Sequence, residues 1–130
     1  MAVVETLARP DLAAHRRAVT ADFPAVTREL TDVIGKKLTA YVGGAKDVRS
    51  VDRWIAGNLP YRDAEDRIRF AYRVASSLNS REHRNVVQAW LTGLNPELND
   101  RSPIRMMREG VLEEVGPQIL GAARAFLAGA

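Results

Sequence analysis

Arg49, Ser50 and Arg53 stand at positions i, i+1 and i+4, a spacing that gathers them on one broad side of a helix, with Lys46 just ahead and Lys36-Lys37 one short segment upstream. An arginine fork can read guanine or hold phosphate, a serine hydroxyl serves either target, and lysines on the preceding segment suit backbone phosphates. The chemistry this constellation could do is nucleic-acid contact. Between residues 36 and 53 there are five Lys/Arg against two acids, Asp47 and Asp52. The same mixture also describes a solvated helical face held by pairs one turn apart. A net charge of +3 is too mild to choose between the two.

Catalytic chemistry has less to work with. His15 and His83 lie far apart, each is flanked by arginine, and neither falls in a metal-ligand or nucleophile-activating pattern. The chain has no cysteine, so thiolate metal sites and disulfides are excluded. No glycine-rich phosphate loop follows a strand, and Glu113-Glu114 reads as the charged first turn of a helix, where carboxylates complement the dipole. The expectation is a protein that is not an enzyme, with no metal and no cofactor.

The elements that must position these residues are helical. Apolar residues recur at three- and four-residue spacing, and no segment alternates strictly by two. The fold class is therefore all-α, with helices expected at 10–20, 24–35, 36–42, 47–56, 63–79, 81–92, 103–109 and 111–127. Pro10, Pro24 and Pro103 fall in first turns, where a missing N–H is harmless. In the 63–79 segment Asp63 is expected to cap, and Ile68, Tyr72, Ala75 and Leu78 form a stripe widened by Phe70, Ala71 and Val74, the mark of a central helix. Its arginines, interleaved with Asp63, Glu65 and Asp66, read as a solvated face. With 46% apolar residues in 130, the chain suits one compact domain or two small lobes sharing a core. The N-terminus "MAVVETLARPDLAAHRR" has neither a basic start nor a long apolar run, and no stretch reaches the roughly 18 apolar residues that span a bilayer. The expected location is cytoplasmic.

Two stretches are more specific. In "KKLTAYVGGAKDVRSVDRWIAGNLP", a short helix, a glycine turn and a second helix with apolar Val48, Val51, Trp54 and Ile55 make a helix-turn-helix pattern, although Ala40 to Val51 is one position longer than the usual spacing. In "WLTGLNPELNDRSPIRMMREG", Asn95-Pro96 is expected to end the helix carrying Trp90, because proline disfavours the helical region at Asn95. Pro103 then starts a short helix, and Gly110 is expected to stop it in a left-handed cap. The result would be a fixed elbow gathering Trp90, Leu94, Leu98, Met106 and Met107, with Trp90 packing the core rather than meeting a partner.

The run from Trp90 through Asn95, Pro96, Leu98, Pro103, Met106, Met107 and Gly110, followed by "VLEEVGPQILGAARAFLAG", resembles the C-terminal antitoxin/toxin-binding domain of the Xre/MbcA/ParS family of type II antitoxins. The family also carries a divergent helix-turn-helix upstream with the pattern Val-x-Arg-Trp-x-x-Gly, here Val51, Arg53, Trp54 and Gly57. The two motifs cover residues 30–129 and leave 1–29 unmatched. What the resemblance implies is an N-terminal helical extension (1–29), an Xre-like helix-turn-helix lobe (30–80) and a small helical toxin-binding lobe (81–130). It further implies binding and neutralisation of a RES-domain toxin that consumes NAD, autoregulation through operator DNA, and assembly as a homodimer or a toxin–antitoxin hetero-oligomer. By that reading the elbow orients the final helix, and the toxin-contacting residues lie beyond Gly110. A stand-alone helix-turn-helix regulator without a toxin partner is the other reading of the same residues.

Overall fold

The computed structural model describes residues 10–129, which form eight α-helices, one 3-10 turn and no β-strand. The only extended pairing among them is an isolated bridge between Asn95 and Arg101. None of these helices is long and apolar enough to cross a membrane. Most of the expected 1–29 extension is described, but its residues 1–9, and Ala130 of the expected 81–130 lobe, lie outside the described residues.

Helix α1 (Pro10–Thr20) leads into α2 (Phe23–Ile34), whose buried Phe23, Val26, Thr27, Leu30 and Ile34 follow the helical repeat along one face. Gly35, at φ 88, turns the chain directly into α3 (Lys36–Gly43), a backbone angle that glycine adopts without a Cβ penalty. The turn after α3 opens into α4 (Arg49–Ile55), a helix of seven residues that is shorter at both ends than the 47–56 its periodicity predicts. Val48 serves as its N-cap and makes no side-chain cap bond.

Helix α5 (Arg62–Asn79) is the central element, packing against α1, α2 and α3, and against α6 (Arg84–Thr92), α7 (Pro103–Glu109) and α8 (Leu112–Gly129). It buries Ala64, Ile68, Ala71, Tyr72, Val74, Ala75, Ser77 and Leu78, a face wide enough to take neighbours on several sides. Asp63 does not cap it. The helix starts one residue earlier, with Tyr61 as N-cap and no side-chain cap bond, so Asp63 and Glu65 act as first-turn carboxylates beside the positive end of the dipole.

A continuous apolar cluster runs from Ala18 in α1 to Ala123 in α8, and Trp54, Ile68, Leu91, Leu98 and Met107 all belong to it. Each fully buried leucine or methionine contributes about 1.5–3 kcal/mol by leaving water, so this shared core outweighs any surface ion pair in holding the helices together. Gly43 is needed where α3 meets it, because a Cβ there would run into the buried Trp54 ring and sit 3.4 Å from Ile68.

Candidate functional site

The elbow between α6 and α8 is built by local hydrogen bonds that the residue types dictate. His83 caps α6 by accepting the Asn85 N–H at Nδ1, 3.1 Å, and Gly93 ends it, donating to the Ala89 carbonyl at 2.9 Å. The helix thus stops at Thr92, before Asn95-Pro96 can act. Asn95 is extended, as the proline after it requires, and its Oδ1 accepts the Glu97 N–H at 2.9 Å to cap the 3-10 turn Pro96–Leu98. Asn99 and Asp100 then take left-handed angles, φ 57 and 59, in which Asn and Asp are the better tolerated side chains. Two backbone bonds close the loop on itself: Asn95 N–H to the Arg101 carbonyl, 3.1 Å, and Asp100 N–H to the Asn95 carbonyl, 2.9 Å.

Beyond the loop, Ser102 Oγ accepts the Arg105 N–H at 3.2 Å and buried Pro103 occupies the first turn of α7. Gly110 follows, but its backbone is extended, at φ −90 and ψ 171, so a left-handed cap is not its reason. Crowding is: a Cβ would lie 2.6 Å from Val115 Cγ1 and 2.8 Å from the Met106 carbonyl oxygen.

The elbow gathers most of the predicted apolar residues. Leu98, Met106 and Met107 are buried, and Trp90 is half-buried, with its ring 6.3 Å from that of Phe126 on α8. Leu94 does not join them; it is 74% exposed, because the extended stretch after Gly93 turns it outward. Pro96 is exposed as well. Arg101 fastens the loop to α8, donating from Nε to the Leu98 carbonyl at 2.9 Å and from Nη2 to Gln118 Oε1 at 3.0 Å. Held this way, α8 buries Val115, Gly116, Ile119, Ala122 and Ala123, and turns Pro117, Gly121, Ala125 and Ala128 outward.

The cationic residues divide into two groups. Arg49 is clasped by Asp47, with Nη2 to Oδ2 at 2.7 Å, and the Arg49 backbone N–H donates to Asp47 Oδ1 at 2.7 Å. This hydrogen bonding holds the Asp47 carboxyl below the ordinary carboxylate range and the Arg49 guanidinium above its ordinary value. Arg53 donates to Ser50 Oγ at 2.9 Å, and Lys36 pairs with Asp52 at 2.7 Å, both across exposed surface. Lys37 and Lys46 are exposed and form no such pair with a described residue; they line a cleft between α3 and α7.

Several positioning residues escaped sequence reasoning. Arg67 donates to the Val42 and Gly43 carbonyls at 2.8 and 3.0 Å, satisfying the end of α3. Arg69 donates to Ala18 and Ala21, both at 2.8 Å, at the end of α1, and Gln88 reaches the Val33 carbonyl at 2.9 Å. Arg108 lies 4.6 Å over the Tyr41 ring and donates to the Tyr41 carbonyl at 2.9 Å. The arginines of α5 therefore include structural clamps as well as a solvated face. Nothing in their local sequence marks this, since the carbonyls they meet come from distant segments. Among the described residues no cluster of His, Asp or Glu could hold a metal ion. No family model matches the chain, and neither a curated protein nor a solved structure shows significant similarity to it.

Proposed function

We propose that this chain is an antitoxin that binds and neutralises a RES-domain, NAD-consuming toxin, with operator binding through α3 and α4 as a second activity. The reading rests on the resemblance of the Trp90 to Gly110 motif, and the observation that supports it most is the elbow. Arg101, the Trp90–Phe126 contact and the crowded Gly110 hold α8 at a defined angle while its outer side, where Arg124 stands among Pro117, Gly121, Ala125 and Ala128, stays exposed. Small residues let another backbone approach closely, and exposed Leu94 and Val111 flank the joint with apolar surface that a partner would bury.

Co-expression with a RES-domain toxin tests this directly. The expected result is rescue of growth and a complex that co-purifies; a toxin equally lethal with and without the chain, and recovered alone, would end the antitoxin reading. Gly121→Arg sharpens the test, because a side chain there meets nothing within 4 Å and alanine-like helix formers exceed glycine by about 1 kcal/mol. This variant should fold as well as the parent yet lose rescue. Retained rescue would move the interface off this side of α8. The exposed, solvent-facing Arg49 and Arg53 keep the stand-alone regulator as the second reading, distinguished by a chain that shifts operator DNA in a gel but binds no toxin.

A further inference from the structure

The cleft between α3 and α7 collects three cations that the sequence holds far apart. Lys37 comes from α3, Lys46 from the turn that follows and Arg108 from α7, and together they line a space of about 550 Å³. Two carboxylates also line it, but both are already engaged. Asp47 is clasped by Arg49, and Glu109 accepts from Arg105 Nε at 2.9 Å. Neither Lys37 nor Lys46 forms an ion pair with a described residue. The cleft is therefore short of negative charge, even though the chain as a whole is close to balance.

Its third cation is also oriented in advance. Arg108 lies over the Tyr41 ring and spends Nη1 on the Tyr41 carbonyl, which fixes the guanidinium plane at the cleft wall. A guanidinium carries five donors in a rigid fork, so most remain for a second acceptor. A fixed arginine fork beside two exposed ammonium groups suits a compact anion with several oxygens, and phosphate is that anion.

We infer that Lys37, Lys46 and Arg108 form a phosphate-binding site at the junction of α3 and α7, separate from the Arg49 and Arg53 side of α4. A free nucleotide and the backbone of a nucleic acid both present this phosphate, and the chemistry of recognition is shared. The site needs no toxin, so its test does not depend on the antitoxin reading; only its nucleic-acid source rests on the operator reading of α3, and the pyrophosphate titration stands apart from that.

The full chain is titrated with inorganic pyrophosphate, followed by NMR shifts, and with a short mixed-sequence DNA duplex, followed by fluorescence anisotropy across a salt series. Lys37→Gln with Lys46→Gln removes two exposed cations and should leave thermal melting unchanged. It should weaken the bound probe roughly tenfold at low salt. If pyrophosphate binds and the double variant loses it, the source is free phosphate. If only the duplex binds, the variant should also lower the slope of log affinity against log salt by about two, the mark of two lost backbone contacts. Binding of neither probe, or unchanged binding by the double variant, would overturn the site. So would a loss of pyrophosphate affinity in Arg53→Gln equal to that in the double variant, which would place the anion on α4 instead.

Discussion

Asp47 and Gly110 illustrate how much a single position decides. The Asp47 clasp is a property of two side chains and one backbone N–H, and its pH dependence follows from the sign of the shift. The folded chain holds this carboxyl below its unfolded value, so the clasp contributes above the ordinary carboxylate pKa of about 3.9 and is lost as pH falls through the lowered folded value. By NMR, the Asp47 carboxyl should titrate below that ordinary value, and Arg49→Gln should move its midpoint upward. A midpoint indifferent to the substitution would mean the clasp is absent in solution. Gly110 was legible in the sequence as a necessary glycine, but for the wrong cause. The requirement comes from Val115 and the Met106 carbonyl, and Val115 is a neighbour only once α8 has folded back.

Apart from α5 and α8, the helices have 12 residues or fewer and do not sustain themselves in water, so their ends matter as much as their faces. Prolines and glycines made the element order readable, and most expected boundaries lie within two residues of the observed ones. The start of α6 is the exception, Arg84 where 81 was expected, because His83 caps it. Two other ends fall near the expected places for different reasons: Gly93 ends α6 before Asn95-Pro96 can, and Tyr61 rather than Asp63 precedes α5. What remained hidden was the work of Arg67, Arg69 and Arg108: the first two satisfy carbonyls at the ends of α3 and α1, and Arg108 adds a second donor to the Tyr41 carbonyl, which also accepts the Gly44 N–H. The sequence shows a guanidinium but not which distant carbonyls will lack a partner. Arg69→Met should therefore cost about 1 kcal/mol in urea unfolding, the lower end of the range for leaving acceptors unsatisfied because these carbonyls are only partly buried, even though methionine preserves much of the packing. Amide exchange in the last turn of α1 should accelerate with it. A loss below a few tenths of a kcal/mol would class Arg69 with the solvated arginines.

At the scale of the whole molecule, the apolar cluster passes without interruption from the α1–α5 packing to the elbow and α8. All-α class and a central 63–79 helix were readable from periodicity alone, whereas the Lys37, Lys46 and Arg108 cleft was not, because it exists only when α7 docks on α3. A shared core predicts shared unfolding. Leu98→Ala, at a site 1% exposed, should cost about 3 kcal/mol, near the middle of the range for buried leucine truncation. Calorimetry should show one transition moved down as a unit. A second transition, with α1 to α5 melting at the parental temperature, would mean that the C-terminal helices form a separate cooperative unit. The two tryptophans have different surroundings, Trp54 nearly enclosed beside Phe23 and Trp90 half-open beside Phe126. They make the chain its own fluorescent gauge: Trp54→Phe leaves a single emitter at the elbow, whose colour reports what covers α8 without any attached dye.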